Sequence, residues 1–177
     1  MKFGKLDFAD VSQHSNLVAA PTDEAIKQHN LSSVLVAEID AGLADTAAFC
    51  EAYDIGVDVS ANCVVVEAKR ADKTWYAACL ILATNRADIN GVVRRHLDAR
   101  KISFAPMDTA TSLTKMEYGG ITPIGLPEGW QLIIDEAITQ KERVIIGSGI
   151  RGSKLLVESS ILTKLPNAVI KDIAKNE

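Results

Sequence analysis

Residues 116–127 read Met-Glu-Tyr-Gly-Gly-Ile-Thr-Pro-Ile-Gly-Leu-Pro. The stretch holds three of the eleven glycines and two of the five prolines in the chain. Glycine tolerates a positive φ and a close approach to its main chain, whereas proline fixes φ and removes a donor. The pattern therefore predicts a loop of fixed shape with exposed amide groups, in which Gly119 or Gly120 adopts a positive φ. A tight turn between a helix and a strand is the alternative interpretation.

The composition is typical of one folded domain. The chain has 177 residues, of which 47% are hydrophobic and 24% charged, enough for one core and too few for two ordinary domains. No apolar run is long enough to cross a bilayer, and the N-terminus lacks the apolar segment of a secretory signal. Cys50, Cys63 and Cys79 lie in apolar surroundings without metal-ligand spacing, which predicts reduced core cysteines in a cytoplasmic protein.

The net charge limits the possible partners. A formal charge of −4 argues against sequence-independent binding to duplex nucleic acid. A protein that recognises only one end of a nucleic acid needs no more than a local basic patch. Arg86, Arg94, Arg95, Arg100 and Lys101 form such a group. A solvated helix face is the commoner role of such a run, and positioning contacts to nucleic-acid phosphates are the alternative.

Hydrophobic periodicity predicts a mixed α+β domain. Two apolar runs, 63–67 and 75–83, are joined by the charged segment 69–73 and predict a hairpin near the centre of a sheet. Asp88 begins the clearest helix, with a buried stripe formed by Ile89, Val92, Val93, His96 and Leu97. Further strands are predicted at 34–39, 101–104, 131–134, 143–146, 154–157 and 169–170. Further helices are predicted at 21–30, after an Asp45 cap, after an Asp108 cap and at 159–165, and residues 1–20 are predicted to be an irregular lead-in.

A second glycine-rich segment, Gly147-Ser148-Gly149-Ile150-Arg151-Gly152, has the spacing of a dinucleotide-binding fingerprint. That motif needs a helix immediately after it, but residues 153–157 have the pattern of a strand. Only 25 residues follow residue 152, too few for the rest of a nucleotide-binding half, so we reject such a site. Two interpretations remain: a connection whose amides and Arg151 bind an anion or an ester carbonyl, and a bulged hairpin.

Side-chain constellations for nucleophilic or metal chemistry are not evident. His14 and His29 lie in peripheral N-terminal segments, and His96 lies on the buried stripe, so no Ser–His–Asp triad can be assembled. No ligands are paired at metal-binding spacing. Any chemistry would then depend on oriented backbone donors and a water molecule, which suits ester hydrolysis because its main requirement is stabilisation of the developing oxyanion.

The first glycine-rich loop, together with 132–136 and 144–152, resembles the YbaK/EbsC family, which includes the editing domain of bacterial prolyl-tRNA synthetases. The resemblance covers about residues 33–174 in matching order. It implies two segments: a lead-in with a short helix, 1–32, and an editing-type domain, 33–177. The fold expected for that domain is a single α+β unit with a mixed, curved, barrel-like sheet flanked by short helices.

The resemblance also implies an activity and its partners. Such proteins hydrolyse the ester of mischarged aminoacyl-tRNA, with water attacking the carbonyl and the substrate's own 2′-hydroxyl assisting. The expected partner is the 3′ end of aminoacyl-tRNA, with an aminoacyl-tRNA synthetase as a further candidate, and no membrane, metal or organic cofactor is expected. The alternative is a module that binds aminoacyl-tRNA, a free amino acid or a synthetase without turnover.

Site residues follow from the same resemblance. The loop 119–123 should form one wall of the aminoacyl pocket, 147–149 the opposite side, and Asp135 should orient polar groups. Valine at position 120 is expected to abolish ligand binding and leave the sheet folded. The expected catalytic set is Gly119, Gly120, Gly147, Ser148, Gly149 and Lys154. The expected substrate-binding set is Ala61, Asn62, Tyr118, Ile121, Thr122, Pro123, Asp135 and Arg151.

The chain departs from the family at one position. Members usually carry a functionally important lysine at the start of the central strand, and alignment on 60–66 places Ala61 there. Lys69 has the same strand parity, but eight residues of extended chain put it roughly 26 Å away, so it cannot substitute. Our hypothesis is that Lys154 or Arg151 supplies the missing cation; the alternative is that no cation replaces it and the protein only binds.

Overall fold

A computed structural model of the chain describes residues 1–175. Its strands are β1 (Lys2–Phe3), β2 (Leu6–Asp7), β3 (Ala9–Asp10), β4 (Leu35–Glu38), β5 (Ala61–Arg70), β6 (Lys73–Leu82), β7 (Lys101–Phe104), β8 (Gln131–Asp135), β9 (Arg143–Gly147), β10 (Ser153–Glu158) and β11 (Ala168–Lys171). Its helices are α1 (Ala20–Gln28), α2 (Thr46–Tyr53), α3 (Arg94–His96), α4 (Met107–Thr114), α5 (Glu136–Thr139) and α6 (Ser159–Leu162). Short 3₁₀ turns lie at Val11–Gln13, Ser15–Leu17, Ala41–Leu43 and Val57–Val59, and a π-helical turn at Ile89–Val93.

Two sheets form the body of the domain, the smaller one antiparallel and the larger one mixed. A four-stranded sheet has the order β3-β4-β10-β9, and a five-stranded sheet the order β11-β8-β6-β5-β7. The main core lies between them, because Leu155 and Ile146 of the first sheet pack in one cluster with Leu80 and Ile134 of the second. The α+β, single-domain prediction is confirmed, but the two sheets do not close into a barrel.

The long hairpin β5–β6 is the centre of the larger sheet, as predicted. Its register runs from Ala61 opposite Leu82 to Arg70 opposite Lys73, so both strands are longer than the apolar runs indicated. The turn is therefore only residues 71–72, with Ala71 at φ +53°, and not the whole charged segment 69–73. Charged residues can occupy the ends of strands because their side chains project into solvent there. Hydrophobic periodicity alone therefore does not show where such strands end.

The outer face of the larger sheet is covered by residues 89–99. Asp88 begins this segment as predicted, and its carboxylate accepts hydrogen bonds from the amides of Gly91 and Val92. The first turn is π-helical instead of α-helical. Ile89, Val93 and Leu97 are buried against the sheet, whereas the predicted stripe members Val92 and His96 are only half-buried. His96 Nε2 lies 2.8 Å from Gln131 Oε1.

Two local predictions need correction. Pro106, not Asp108, is the N-cap residue of α4. Asp108 lies in the first turn, where its negative charge interacts favourably with the helix dipole. Residues 1–20 are not an irregular lead-in, since β3 pairs with β4 and Val11 and Val18 are buried in the main core. Short strands of two residues carry too few positions to show a period of two.

The two sheets touch at one point and then diverge. Ser60, just before β5, forms a parallel bridge with Ile145 of β9. Beyond this bridge β5 is unpaired on that side until Val65, whose carbonyl accepts from the amide of Ala105, and the β7 register begins with Phe104 opposite Val66. The stretch of free strand edge between the bridge and β7 becomes one wall of a cleft.

The packing makes a stability prediction. Ile134 and Ile170 face each other across the β8–β11 pair, but Ile134 is 0% exposed and Ile170 is 52% exposed. Ile134→Ala should lower the free energy of unfolding by about 2–5 kcal/mol because it leaves a cavity in the main core. Ile170→Ala, the matched control, should change it by less than about 0.5 kcal/mol. Urea denaturation measures both; equal losses would contradict the assigned core.

Candidate functional site

A cleft of about 620 Å³ lies between the free edge of β5 and the loops that follow α4 and β9, and both glycine-rich segments contribute to its lining. Of the predicted site residues it is lined by Gly119, Gly147, Lys154, Ala61, Asn62, Tyr118, Ile121 and Arg151. It is also lined by residues that the sequence did not mark as functional, among them Asp45, Thr46, Cys63, Val65 and Phe104. In the sequence, Asp45 was recognised only as a helix cap. Phe104 gave no signal, because an exposed aromatic residue at a strand end does not follow the hydrophobic period.

The two glycine-rich segments lie against each other, as predicted. The amide of Gly149 donates to the Gly120 carbonyl at 2.7 Å, and the Gly149 carbonyl accepts from the amide of Glu117 at 2.8 Å. Gly119 has a φ of +82°, which confirms the expected positive φ in this loop. A Cβ on Gly147 would lie 2.4 Å from the Gly120 carbonyl oxygen, so this contact excludes any side chain at position 147.

Gly120 has a different role from the one expected. A Cβ added there would point at the backbone of Ile150, 2.5 Å from its carbonyl oxygen, and not into the cleft. The expected effect of valine at position 120, a blocked pocket in an intact sheet, is therefore corrected: a side chain would force the two loops apart.

Lys154 is the charged group at the inner wall. Its side chain is 7% exposed, Nζ donates to the Ala44 carbonyl at 3.0 Å, and the ammonium lies 5.2 Å from the centre of the Phe49 ring. Burial lowers the pKa of Lys154, since removal from water disfavours the charged form, although the charge of nearby Asp45 opposes this. Lys154 forms no ion pair within residues 1–175. The ammonium therefore has unused donors at the cleft wall.

Arg151 holds the rim of the cleft together. Its guanidinium donates to the carbonyls of Tyr118 and Ala41 at 3.2 and 3.0 Å, and its own amide donates to the Glu117 carboxylate at 2.6 Å. These bonds join the first glycine loop to the second and to the segment before α2. Arg151 is half-buried and keeps its charge at the cleft, but much of its donor capacity is already used.

The β5 wall is small and neutral. Ala61 is 7% exposed, and Asn62 accepts a hydrogen bond from the Thr46 hydroxyl at 2.6 Å. Burial raises the pKa of the Cys63 thiol, and the neighbouring Cys79 adds to the rise. The thiol therefore stays protonated at neutral pH and is unsuited to act as a nucleophile. Asp45 is the one carboxylate among the residues that line the cleft.

Six predicted site residues lie outside the cleft lining. Besides Gly120, these include Ser148, whose buried hydroxyl lies 3.1 Å from the carbonyl oxygens of both Ile150 and Ser153 and can donate to either. A Cβ on Gly149 would meet Ala19. Thr122 is fully buried.

The other two serve elsewhere in the fold. Pro123 lines a different concavity, beside α1. Asp135 is 1% exposed and accepts the amide of Ile173, so it anchors the segment after β11 instead of orienting substrate. The positions of these residues in the sequence do not by themselves separate them from the residues that line the cleft.

Comparison with known proteins identifies the family. Residues 40–165 match the model of the aminoacyl-tRNA editing domain. Because the match covers most of the chain, this protein belongs to the aminoacyl-tRNA editing domain family, as the resemblance predicted. Within the described residues, no helix combines the length and hydropathy that a bilayer crossing requires.

Solved structures share the fold. A protein proposed to be a trans-editing enzyme for prolyl-tRNA synthetase superposes with a TM-score of 0.76 at 18% identity, covering 88% of this chain and 96% of that one. The hypothetical protein APE2540 gives a TM-score of 0.77 at 19% identity, with 88% and 99% covered. A scaffold protein used for computational epitope grafting gives 0.77 at 18% identity, with 89% and 97% covered.

The loop contacts generate a paired prediction. Gly120→Ala should lower the free energy of unfolding by about 1–3 kcal/mol, because the new methyl group would overlap the Ile150 backbone. Gly152→Ala is the matched control: no atom lies within 4 Å of the added Cβ, so stability should change by less than about 0.5 kcal/mol. Urea denaturation measures both, and an unchanged Gly120 variant would show that the loops do not pack as described.

Proposed function

We propose that this protein hydrolyses the ester bond of mischarged aminoacyl-tRNA in trans. The observation that carries the proposal is the buried ammonium of Lys154, with unused donors, on the wall of the cleft in an editing-domain chain. A cation in a water-poor site is suited to stabilise the charge that develops on the carbonyl oxygen during ester hydrolysis. Support for the reaction in trans comes from the similar fold of the trans-editing candidate for prolyl-tRNA synthetase.

The reaction needs no covalent intermediate. Water attacks the carbonyl carbon of the ester, the bond from that carbon to the ribose oxygen breaks, and the ribose oxygen takes a proton. The products are the free amino acid and the tRNA. Lys154 would stabilise the oxyanion, and the 2′-hydroxyl of the substrate would assist the attack. Ala61 and Gly147 line the cleft together with Lys154, and their small size leaves room there for the aminoacyl group.

The proposed site is smaller than the sequence indicated. Lys154 is assigned the catalytic role, and Gly119 and Gly147 shape the wall. Ala61, Asn62, Tyr118, Ile121 and Arg151 would contact the substrate. The proposed partner is the 3′ end of aminoacyl-tRNA, with a synthetase as a second partner. The three free cysteines support a reducing, cytoplasmic compartment.

A second candidate function has one observation in its favour. Ala61 aligns, by the family resemblance, with the position where members usually carry a lysine, and alanine offers neither charge nor hydrogen bond. A protein that binds aminoacyl-tRNA or an amino acid without turnover would need only the cleft. Binding of an uncleavable aminoacyl-adenosine analogue, with no release of amino acid from the true ester, would identify this function.

The catalytic assignment is tested with a panel of mischarged tRNAs. Lys154→Met keeps much of the apolar stem but removes the charge, and we expect deacylation to fall about 100-fold, as for loss of one oxyanion donor. Lys69→Met is the control, because Lys69 is exposed, pairs with Glu67 and does not line the cleft. No release of amino acid by the wild type from any tRNA would reject the deacylase. An active Lys154→Met variant would reject only the role of Lys154.

Stability should depend on pH through the same residue. Because burial lowers the pKa of Lys154 from 10.5 in the folded state, the unfolded chain binds more protons between the two pKa values, and stability rises with pH in that window. Below the folded pKa the buried charge is a cost, so Lys154→Met should be more stable than the wild type at neutral pH. That advantage should shrink as the pH rises toward 10.5, as followed by urea denaturation. A constant difference would contradict the lowered pKa.

A further inference from the structure

Phe104 is an exposed aromatic side chain on the wall of the cleft. It is the last residue of β7 and is 63% exposed, the largest exposed fraction among the large hydrophobic residues of the described chain. Its ring takes part in neither of the two aromatic pairs found within residues 1–175. A bare aromatic ring in water at the edge of a concave site is a common feature of ligand contacts.

The position of Phe104 gives the cleft two chemically different ends. Ser60 pairs with Ile145, so Gly147, two residues further along a parallel strand, lies about level with Asn62. Lys154 is the register partner of Gly147 and marks this end as cationic. Phe104 is paired with Val66, four residues beyond Asn62 and therefore about 13 Å further along β5.

Tyr118, the other exposed aromatic of the cleft, belongs to the cationic end. It is 55% exposed, but its carbonyl is held by Arg151, whose charge acts on Lys154. Phe104 is instead accompanied by the apolar lining residues Val65, Ala105 and Ala110. The lining residues that accompany Phe104 at this end of the cleft are therefore apolar.

An aminoacylated tRNA end is itself a ligand with two different ends. The aminoacyl ester is joined through the ribose to the terminal base, so a carbonyl bound at Lys154 leaves the base further along the cleft. Proteins that recognise single-stranded RNA commonly stack unpaired bases on aromatic side chains. We propose that Phe104 is the stacking surface for the terminal base of the substrate, an inference that rests on the proposed function.

The direct test separates the base from the rest of the ligand. Two uncleavable ligands are compared by calorimetry: a 3′-aminoacyl-amido-adenosine and the same compound with the base removed. In the wild type the base should raise affinity about 5- to 150-fold, the range for stacking of one base. In Phe104→Leu, which keeps an apolar side chain without a ring, this gain should be lost, and Phe104→Trp should retain it. Leu113→Ala, an exposed apolar residue outside the cleft lining, should leave it unchanged.

The remaining outcomes decide against the proposal. A base that adds no affinity in the wild type, or adds the same in Phe104→Leu, overturns the stacking role, whatever other partner Phe104 contacts. Deacylation is measured in parallel on aminoacyl-tRNA. Turnover that survives in Phe104→Leu without change rejects the stacking role and leaves the deacylase standing. A wild type that binds the base through Phe104 but releases no amino acid rejects the deacylase and leaves the stacking surface.

Discussion

The site depends on how closely two backbone segments approach each other. The Gly149 amide bonds to the Gly120 carbonyl at 2.7 Å, and the Cβ positions of Gly120 and Gly147 are occupied by backbone atoms of the opposite loop. Any side chain at these positions would have to displace a main chain, which is far less adaptable than a neighbouring side chain. The contact joins the loop after α4 to the end of β9, and thereby places Gly119 on one wall and Lys154 on another.

Lys154 shows why this frame must be rigid. A buried ammonium with one carbonyl acceptor is costly, and its environment supplies only partial compensation through the Phe49 ring and the charge of nearby Asp45. Such a group persists when the surrounding structure leaves it no alternative position. The same incomplete satisfaction that makes Lys154 costly for stability is what would leave donors available for the proposed substrate.

The sequence predicted the fold better than the site. The structure confirms the hairpin, the strands after it and the contact between the two glycine segments. These features were predictable because they follow from local periodicity, turn chemistry and the family resemblance. The roles of Gly120 and Asp135 were not predictable in this way. Both depend on which direction a position faces after distant segments have packed, Gly120 toward Ile150 and Asp135 toward Ile173. Phe104 was missed for the same reason.

The position of the cation follows a simple physical rule. Stabilisation of an oxyanion depends on where the ammonium lies and not on which strand carries it. Ala61 on β5 and Lys154 on β10 line the same cleft, so a cation absent from the first wall can be supplied from the second. Such a replacement would have a cost, because Lys154 is buried against Phe49 and Ala44, where its pKa is lowered.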